Sequence, residues 1–197
     1  MKKLMLIGAS GFIGSALREG LTDYKITIYR GRSIHNKSVE EMVKDFEGQN
    51  IIINLAGKTI FTVWTKSNKE KIYQSRIDTA EKIVKAIKAM AHPPEHYINA
   101  SAIGIYRSET PVDEFSEKFD DSFLAETVMD WEKCFEPLTN SGIRLSITRF
   151  GIVLGKGGGA YRILRMLTKL NAGAYFNKGN QSLSFIFIQD LVNAINF

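Results

Sequence analysis

The chain has a single cysteine, Cys134, among 197 residues, so no internal disulfide can form and the fold must rest on its apolar core. A lone thiol without a disulfide framework fits a reducing compartment. No apolar run approaches the roughly 20 residues of a membrane span. The start, Met1-Lys2-Lys3-Leu4-Met5-Leu6-Ile7, looks like a signal segment only until Gly8, which ends its apolar run after four residues. That is too short for a signal core. No dense Lys/Arg run with interleaved aromatics occurs either. The net charge of +5, from 26 basic and 21 acidic residues, therefore reads as a solvated basic surface rather than a nucleic-acid footprint. The expectation is a cytoplasmic protein with neither membrane nor nucleic acid as partner, and no metal site is assigned.

Hydrophobic residues make up 44% and charged residues 24% of the chain, a globular balance with enough length to bury a core. Residues 4–7 form a short continuous apolar run, as in a strand covered on both faces of a parallel sheet. Phe12, Ile13, Ala16, Leu17 and Leu21 then recur at helical spacing. Residues 25–29 are rich in β-branched side chains and predict a second strand. Ser38 followed by Glu41 is a capping-box pair opening a helix over 39–46. A strand at 51–54, a helix over 75–90 stopped by Pro93-Pro94, and a strand at 97–101 follow. Residues 108–122 read as a polar, acidic loop. A helix at 123–138, a strand at 144–149, a glycine-rich loop at 151–159 and a helix at 161–170 come next. A strand at 183–187 and a helix starting at Asp190 close the pattern. Strands alternating with helices predict an α/β fold, a doubly wound parallel sheet of Rossmann type with right-handed crossovers.

The chemistry is concentrated in the loop Gly8-Ala9-Ser10-Gly11-Phe12-Ile13-Gly14. It follows a buried strand and opens an amphipathic helix, the context a dinucleotide fingerprint requires. Gly8 permits the tight turn, Gly11 lets the backbone approach a pyrophosphate at the helix N-terminus, and Gly14 lets helix pack on strand. Ser10, Phe12 and Ile13 complete the loop. The second strand lacks the carboxylate that binds the ribose 2′-hydroxyl of NAD. It ends Tyr29-Arg30-Gly31-Arg32-Ser33. Two guanidiniums and a hydroxyl suit a 2′-phosphate, so the expected cofactor is NADP(H). The alternative is that Arg30 and Arg32 face solvent.

The phosphate loop, Asn54-Leu55-Ala56-Gly57 and Ala100-Ser101-Ala102-Ile103-Gly104-Ile105-Tyr106 resemble the extended short-chain dehydrogenase/reductases. Trp64-Thr65, Ser75-Arg76, Asp130-Trp131-Glu132 and the segment from Arg149-Phe150-Gly151 to Gly159-Ala160 resemble more narrowly the YfcH-like, nucleotide-sugar epimerase-like branch. The resemblance implies that Leu55, Ala56 and Gly57 line the adenosine and ribose side of the cofactor. It places Ala100 and Ser101 near the nicotinamide, with Ser101 as the catalytic candidate. Trp64 and Arg149 become candidate substrate residues, Trp64 having the alternative of a surface-anchoring aromatic. Asn54 has the alternative of a strand-end turn residue. Residues 1–150 would form the NADP(H)-binding domain. Residues 151–197 would form the glycine-rich loop and the beginning of a substrate-binding portion.

The sequence departs from the family pattern in three ways. Short-chain dehydrogenases pair a Ser with Tyr-x-x-x-Lys, the Lys lowering the Tyr pKa for proton exchange. None of the seven tyrosines here has Lys four positions later. Glu126, Asp130 and Glu132 are either acid/base groups or solvated helix carboxylates. Second, the chain stops inside a helix with no capping signal, which reads as a C-terminal truncation. Third, Arg107 stands where a glycine is expected, and the glycine turn at 177–181 follows an unusual stretch. The expected function is NADP(H) binding with oxidoreductase or epimerase chemistry on an unidentified small carbonyl or sugar nucleotide. The alternatives are a non-catalytic NADP(H)-binding or regulatory protein, and an inactive fragment.

Overall fold

The computed structural model describes residues 1–107, 111–170 and 183–196. The turn at 177–181 lies outside them. The sheet carries β1 (Lys2–Ile7), β2 (Tyr24–Tyr29), β3 (Ile51–Asn54), β4 (His96–Ala102) and β5 (Arg144–Phe150), in the order β2-β1-β3-β4-β5. All four pairings are parallel. The order reverses between β1 and β3, and open α/β sheets bind ligands at the crevice beyond such a switch.

Both faces are covered. Met5, Ile7, Tyr29, Ile52 and Tyr97 point to one side, where they pack with Phe46 of α3 (Val39–Phe46), Ile83 and Ile87 of α4 (Lys66–Ala89) and Trp131 of α5 (Phe123–Lys133). Leu4, Leu6, Ile53 and Ile98 point to the other, against Leu17 of α1 (Phe12–Gly20) and Leu191 and Val192 of α7 (Ile188–Asn196). Alternate residues of one strand thus feed two helical layers, which is why its sequence is continuously apolar. Residues beyond 150 supply α7 to the second of these layers. Helix α7 meets α1 so closely that a Cβ on Gly20 would stand 2.4 Å from Val192.

Several elements differ from the sequence reading. Helix α4 begins nine residues earlier than residue 75, capped by Thr65, whose hydroxyl accepts from the Asn68 N–H at 3.2 Å. Its first turns carry Lys66, Ser67, Lys69 and Glu70, so they show no apolar stripe. A short helix, α2 (Gly31–Asn36), follows β2 at once. Helix α5 ends at Lys133, and a separate 3₁₀ turn, Glu136–Leu138, holds Pro137, which cannot donate to a continuing helix. The glycine-rich segment is not all loop. It contains β6 (Ile152–Leu154), paired parallel with β7 (Phe185–Phe187), and leads into α6 (Gly159–Lys169). The Ser38–Glu41 capping box forms as expected. No helix among the described residues is long and apolar enough to cross a membrane.

Candidate functional site

The carboxyl ends of β1, β3, β4 and β5 open into a cleft of about 530 Å³. Its phosphate-loop wall is shaped by glycine. Gly8 has φ +86°, and a Cβ there would meet the Leu55 carbonyl at 3.0–3.1 Å. A Cβ on Gly14 would sit 2.4 Å from the Gly8 carbonyl oxygen, so only glycine lets α1 pack on β1. Gly11 is different: its φ is −75°, and a Cβ would meet nothing nearer than the Gly8 oxygen at 3.4 Å. The space above Gly11 is therefore room for a ligand rather than for packing. Helix α1 begins there with no side-chain cap and no acidic residue in its first turn. Its first N–H groups and dipole favour an anion. Loop and helix fit a dinucleotide pyrophosphate.

The Phe12 ring explains the second glycine cluster. Cβ atoms on Gly155, Gly158 and Gly159 would approach it to 2.9, 2.6 and 2.9 Å. The glycine segment after β5 thus closes over the phosphate loop, and Gly159 and Ala160 join the cleft wall.

Asn54 and Asn99 hold the strand ends. Asn54 Nδ2 donates to Asn99 Oδ1 at 2.8 Å, and Asn54 Oδ1 accepts from the Ala56 N–H at 3.0 Å. Both side chains are fully buried. Asn54 is the turn residue that aims Leu55, Ala56 and Gly57 into the cleft.

Gly8, Gly11, Phe12, Ile13, Gly14, Leu55, Ala56, Gly57, Ala100 and Ser101 all line the cleft. The other sequence candidates do not. Ser10 borders a neighbouring depression with Ser15, Lys156 and Gly157. Arg30 caps α2, and both Arg30 and Arg32 are exposed. They stand beside the Leu55–Gly57 edge of the cleft all the same, because a Cβ on Gly31 would stand 3.1 Å from Ala56 Cβ. Ser33 N donates back to the Arg30 carbonyl at 2.9 Å. Trp64 lies outside the cleft. Its Nε1 donates to the Ile60 carbonyl at 2.9 Å and its ring packs edge-on against Phe123. It anchors the 58–65 loop, the alternative left open for it.

Arg149 pairs in register with Ser101 on the adjacent strand. Its Nε and Nη2 donate to the two oxygens of Glu132 at 2.9 and 2.7 Å, and its Nη1 donates to the Tyr106 hydroxyl. The Glu132 bonds raise the guanidinium pKa above its ordinary value. Ser101 Oγ donates to Glu132 Oε1 at 2.5 Å. Each guanidinium nitrogen of Arg149 is engaged, so Arg149 positions Glu132 rather than facing the cleft. Of the three carboxylates considered, Glu132 reaches the site. Asp130 instead accepts from the Tyr73 hydroxyl at 2.9 Å, and Glu126 is exposed.

Where the Tyr-x-x-x-Lys pair is expected, α5 presents Leu124, Thr127, Val128 and Trp131 to the cleft. Thr127 and Trp131 have the i, i+4 spacing that puts two side chains on one helix face. Facing them is Arg76 of α4, with its guanidinium carbon 5.3 Å from the Trp131 ring centre. Sequence reasoning names Arg76 and Trp131 as motif residues without a role in the site and passes over Thr127, though the i, i+4 spacing on α5 is there to be read. Burial lowers the Arg76 pKa.

Residues 4–197 match the NAD dependent epimerase/dehydratase family. An epimerase family protein of Staphylococcus epidermidis is 32% identical over 210 residues, covering 100% of this chain and 70% of that protein. Among solved structures, the human epimerase family protein SDR39U1 (isoform 2) with NADPH superposes with a TM-score of 0.86 at 25% identity, covering 98% of this chain and 68% of that one. A nucleoside-diphosphate sugar epimerase from Corynebacterium glutamicum gives 0.83 at 25% identity, covering 98% of this chain and 42% of that one. The chain belongs to the NAD dependent epimerase/dehydratase family.

Proposed function

We propose that the chain binds NADP(H) along the cleft and presents it to a small carbonyl compound or sugar nucleotide, as an oxidoreductase or epimerase-type protein of the YfcH-like branch. The observation that carries this is the open space over Gly11 at the uncapped start of α1, beside Leu55, Ala56 and Gly57. Arg30 and Arg32, at the start of α2 beside Ala56, are the 2′-phosphate residues, and no carboxylate occupies that strand end. The human relative solved with NADPH supports the phosphorylated cofactor. Bound there, a nicotinamide supplies or accepts a hydride. Ser101 is the residue at the reacting end. Its hydrogen is given to Glu132, so its lone pairs are what it offers a ligand hydroxyl. A proton taken from that hydroxyl passes through Ser101 Oγ to Glu132.

A second reading is NADP(H) binding without turnover. It is favoured by α5, whose cleft-facing residues Leu124, Thr127, Val128 and Trp131 include no proton donor of the Tyr/Lys kind.

The test of the nucleotide reading is calorimetric titration with NADPH and NADH. NADPH is expected to bind more tightly, and Arg30→Ala with Arg32→Ala to remove the preference. A charge-assisted hydrogen bond is worth about 1.5–3 kcal/mol, roughly ten- to a hundredfold in affinity. Equal affinity for the two nucleotides, or an unchanged preference in the double variant, refutes the assignment.

A further inference from the structure

We infer that Arg76 is an anion receptor in the wall of the cleft, taking a carboxylate or phosphate oxygen of the substrate. The inference rests on the cleft being the nucleotide and substrate site, and it adds the charge that the substrate must carry.

The donor inventory of Arg76 is the first ground. Nη1 donates to the Lys58 and Ile72 carbonyls, both at 3.1 Å. These bonds fix the guanidinium plane and tie the 58–65 loop to α4. Nε and Nη2 have no hydrogen-bond partner among the described residues, and no carboxylate there lies within 4.0 Å of the group. Neither nitrogen is sealed from solvent, since the fully enclosed, unpaired side-chain atoms among the described residues are Gln49 Oε1 and Trp131 Nε1. A staple needs only Nη1. The remaining edge of the fork is an unused bidentate donor of the geometry that matches carboxylate and phosphate.

The surroundings are the second ground. Trp131 covers one face of the guanidinium, so the approach left is along the edge. Gly57 keeps an approach open. A Cβ there would stand 3.4 Å from both Cζ and Nη2 of Arg76. Trp131 adds a second unpaired donor to the same wall, a buried indole N–H without an acceptor. The unpaired edge of Arg76, in the wall of the cleft, is the place for an acceptor from a ligand. Burial also lowers the Arg76 pKa, the signature of a cation short of a counter-charge.

Placement separates this site from the pyrophosphate. The phosphate loop is built by Gly8 to Gly14 at the end of β1. Arg76 stands against Trp131 of α5 and Gly57 beyond β3, on the far side of the switch point. The phosphate loop thus accounts for the pyrophosphate, and the anion on Arg76 is assigned to the substrate.

The experiment is calorimetric titration of oxalate and of inorganic phosphate into the wild-type chain, with and without NADPH, and into Arg76→Met, Arg76→Gln and Arg76→Lys. NADPH titration of each variant runs alongside. At least one of the two anions is expected to bind the wild type and to weaken with added salt. Arg76→Met and Arg76→Gln should weaken it by about tenfold or more, with Arg76→Lys in between. NADPH affinity should stay within about twofold. Should the Met variant fail to fold, the Gln and Lys variants carry the comparison. Wild-type chain that binds neither anion, or variants that bind it equally well, overturn the inference. Loss of NADPH affinity in parallel with the charge assigns Arg76 to the cofactor and overturns it too. A wild-type chain that binds no nucleotide refutes the nucleotide reading instead, while the nucleotide-free titrations still report on Arg76.

Discussion

Ser101 Oγ donates to Glu132 Oε1 at 2.5 Å, and the same oxygen accepts from Arg149 Nε at 2.9 Å. One carboxylate oxygen therefore links the end of β4, the last turn of α5 and the end of β5. Its side chain is only 14% exposed, and that of Arg149 25%. The bidentate fork fixes the Glu132 plane, and that plane fixes the direction of the Ser101 hydroxyl.

Removing Glu132 should expose this dependence. Glu132→Ala leaves a partly buried guanidinium without its counter-charge. The expected loss is about 2–3 kcal/mol, below the 3–5 kcal/mol of a fully buried pair because both groups retain some solvent. Ser101→Ala removes one hydrogen bond and should cost about 1–1.5 kcal/mol. Replacing both ends of the ion pair, Glu132→Leu with Arg149→Met, should be milder than the sum of the single changes. Urea unfolding of these variants, together with Glu132→Leu and Arg149→Met alone, measures this, and strict additivity would remove the claim that the groups act as a unit.

The phosphate loop yields a paired prediction. Gly11→Val should abolish NADPH binding while the melting temperature shifts little, because its Cβ enters open space. Gly14→Val should instead damage the fold by about 3 kcal/mol or more, since its Cβ collides with backbone at 2.4 Å. Thermal unfolding together with nucleotide titration separates the two. If Gly11→Val binds NADPH like the wild type, the pyrophosphate lies elsewhere.

This contrast also marks what could be read in the sequence. The glycine spacing, the apolar run before it and the missing acid after β2 predict the sheet, the loop and the nucleotide end of the cleft. These are local signals, each carried by adjacent residues. The Ser101–Glu132–Arg149–Tyr106 network is not local. Ser101, Glu132 and Arg149 sit on β4, α5 and β5 and Tyr106 on the segment after β4, and only the parallel register of β4 and β5 sets Ser101 beside Arg149. Arg76 was hidden for another reason. The first turn of α4 is polar on every side, so the pattern predicts a start at residue 75, which sets Arg76 at the mouth of the helix with no sign of facing inward. Trp64 is ambiguous in the sequence for a further reason, because an aromatic beside a loop reads equally well as a ligand contact or as an anchor.

Stability should depend on pH through His96. Burial, and then the charge of Arg144, lowers its pKa below the ordinary 6.5. Its Nε2 lies 2.9 Å from Ser146 Oγ. The unfolded chain therefore takes up this proton at higher pH than the folded one. The folded state is favoured in full above about pH 6.5. As pH falls below that value, stability declines, and the decline ends once the pH passes below the depressed folded pKa. The urea midpoint of wild type is expected to fall between pH 7.5 and 5.5, and that of His96→Gln to fall less. Identical slopes for the two proteins would show that His96 does not contribute.

The last prediction concerns turnover. Reduction of ketones, quinones or sugar nucleotides with NADPH should be slow in this chain. The cleft wall on α5 holds Thr127 and Trp131 where a phenol and an ammonium would move a proton. General acid–base catalysis is typically worth about a hundred- to ten-thousandfold in rate, and that factor is what their absence withholds. Glu132 does not restore it. Both Glu132 oxygens accept from Arg149, and one of them also from Ser101, so the side chain presents no donor to a substrate carbonyl. Ser101 already gives its hydrogen to Glu132, so donating to a substrate carbonyl means breaking a short, charge-assisted bond. The reverse direction runs over the same path, with a substrate hydroxyl giving its proton to Ser101 as hydride leaves. Alcohol oxidation with NADP should therefore be slow as well, in the proportion to carbonyl reduction that the equilibrium between them sets at the assay pH. Both should fall in Ser101→Ala, and Glu132→Gln should suppress oxidation more than it weakens nucleotide binding. The nicotinamide absorbance band follows each reaction. Fast carbonyl reduction that survives Glu132→Gln would show a proton route independent of this network.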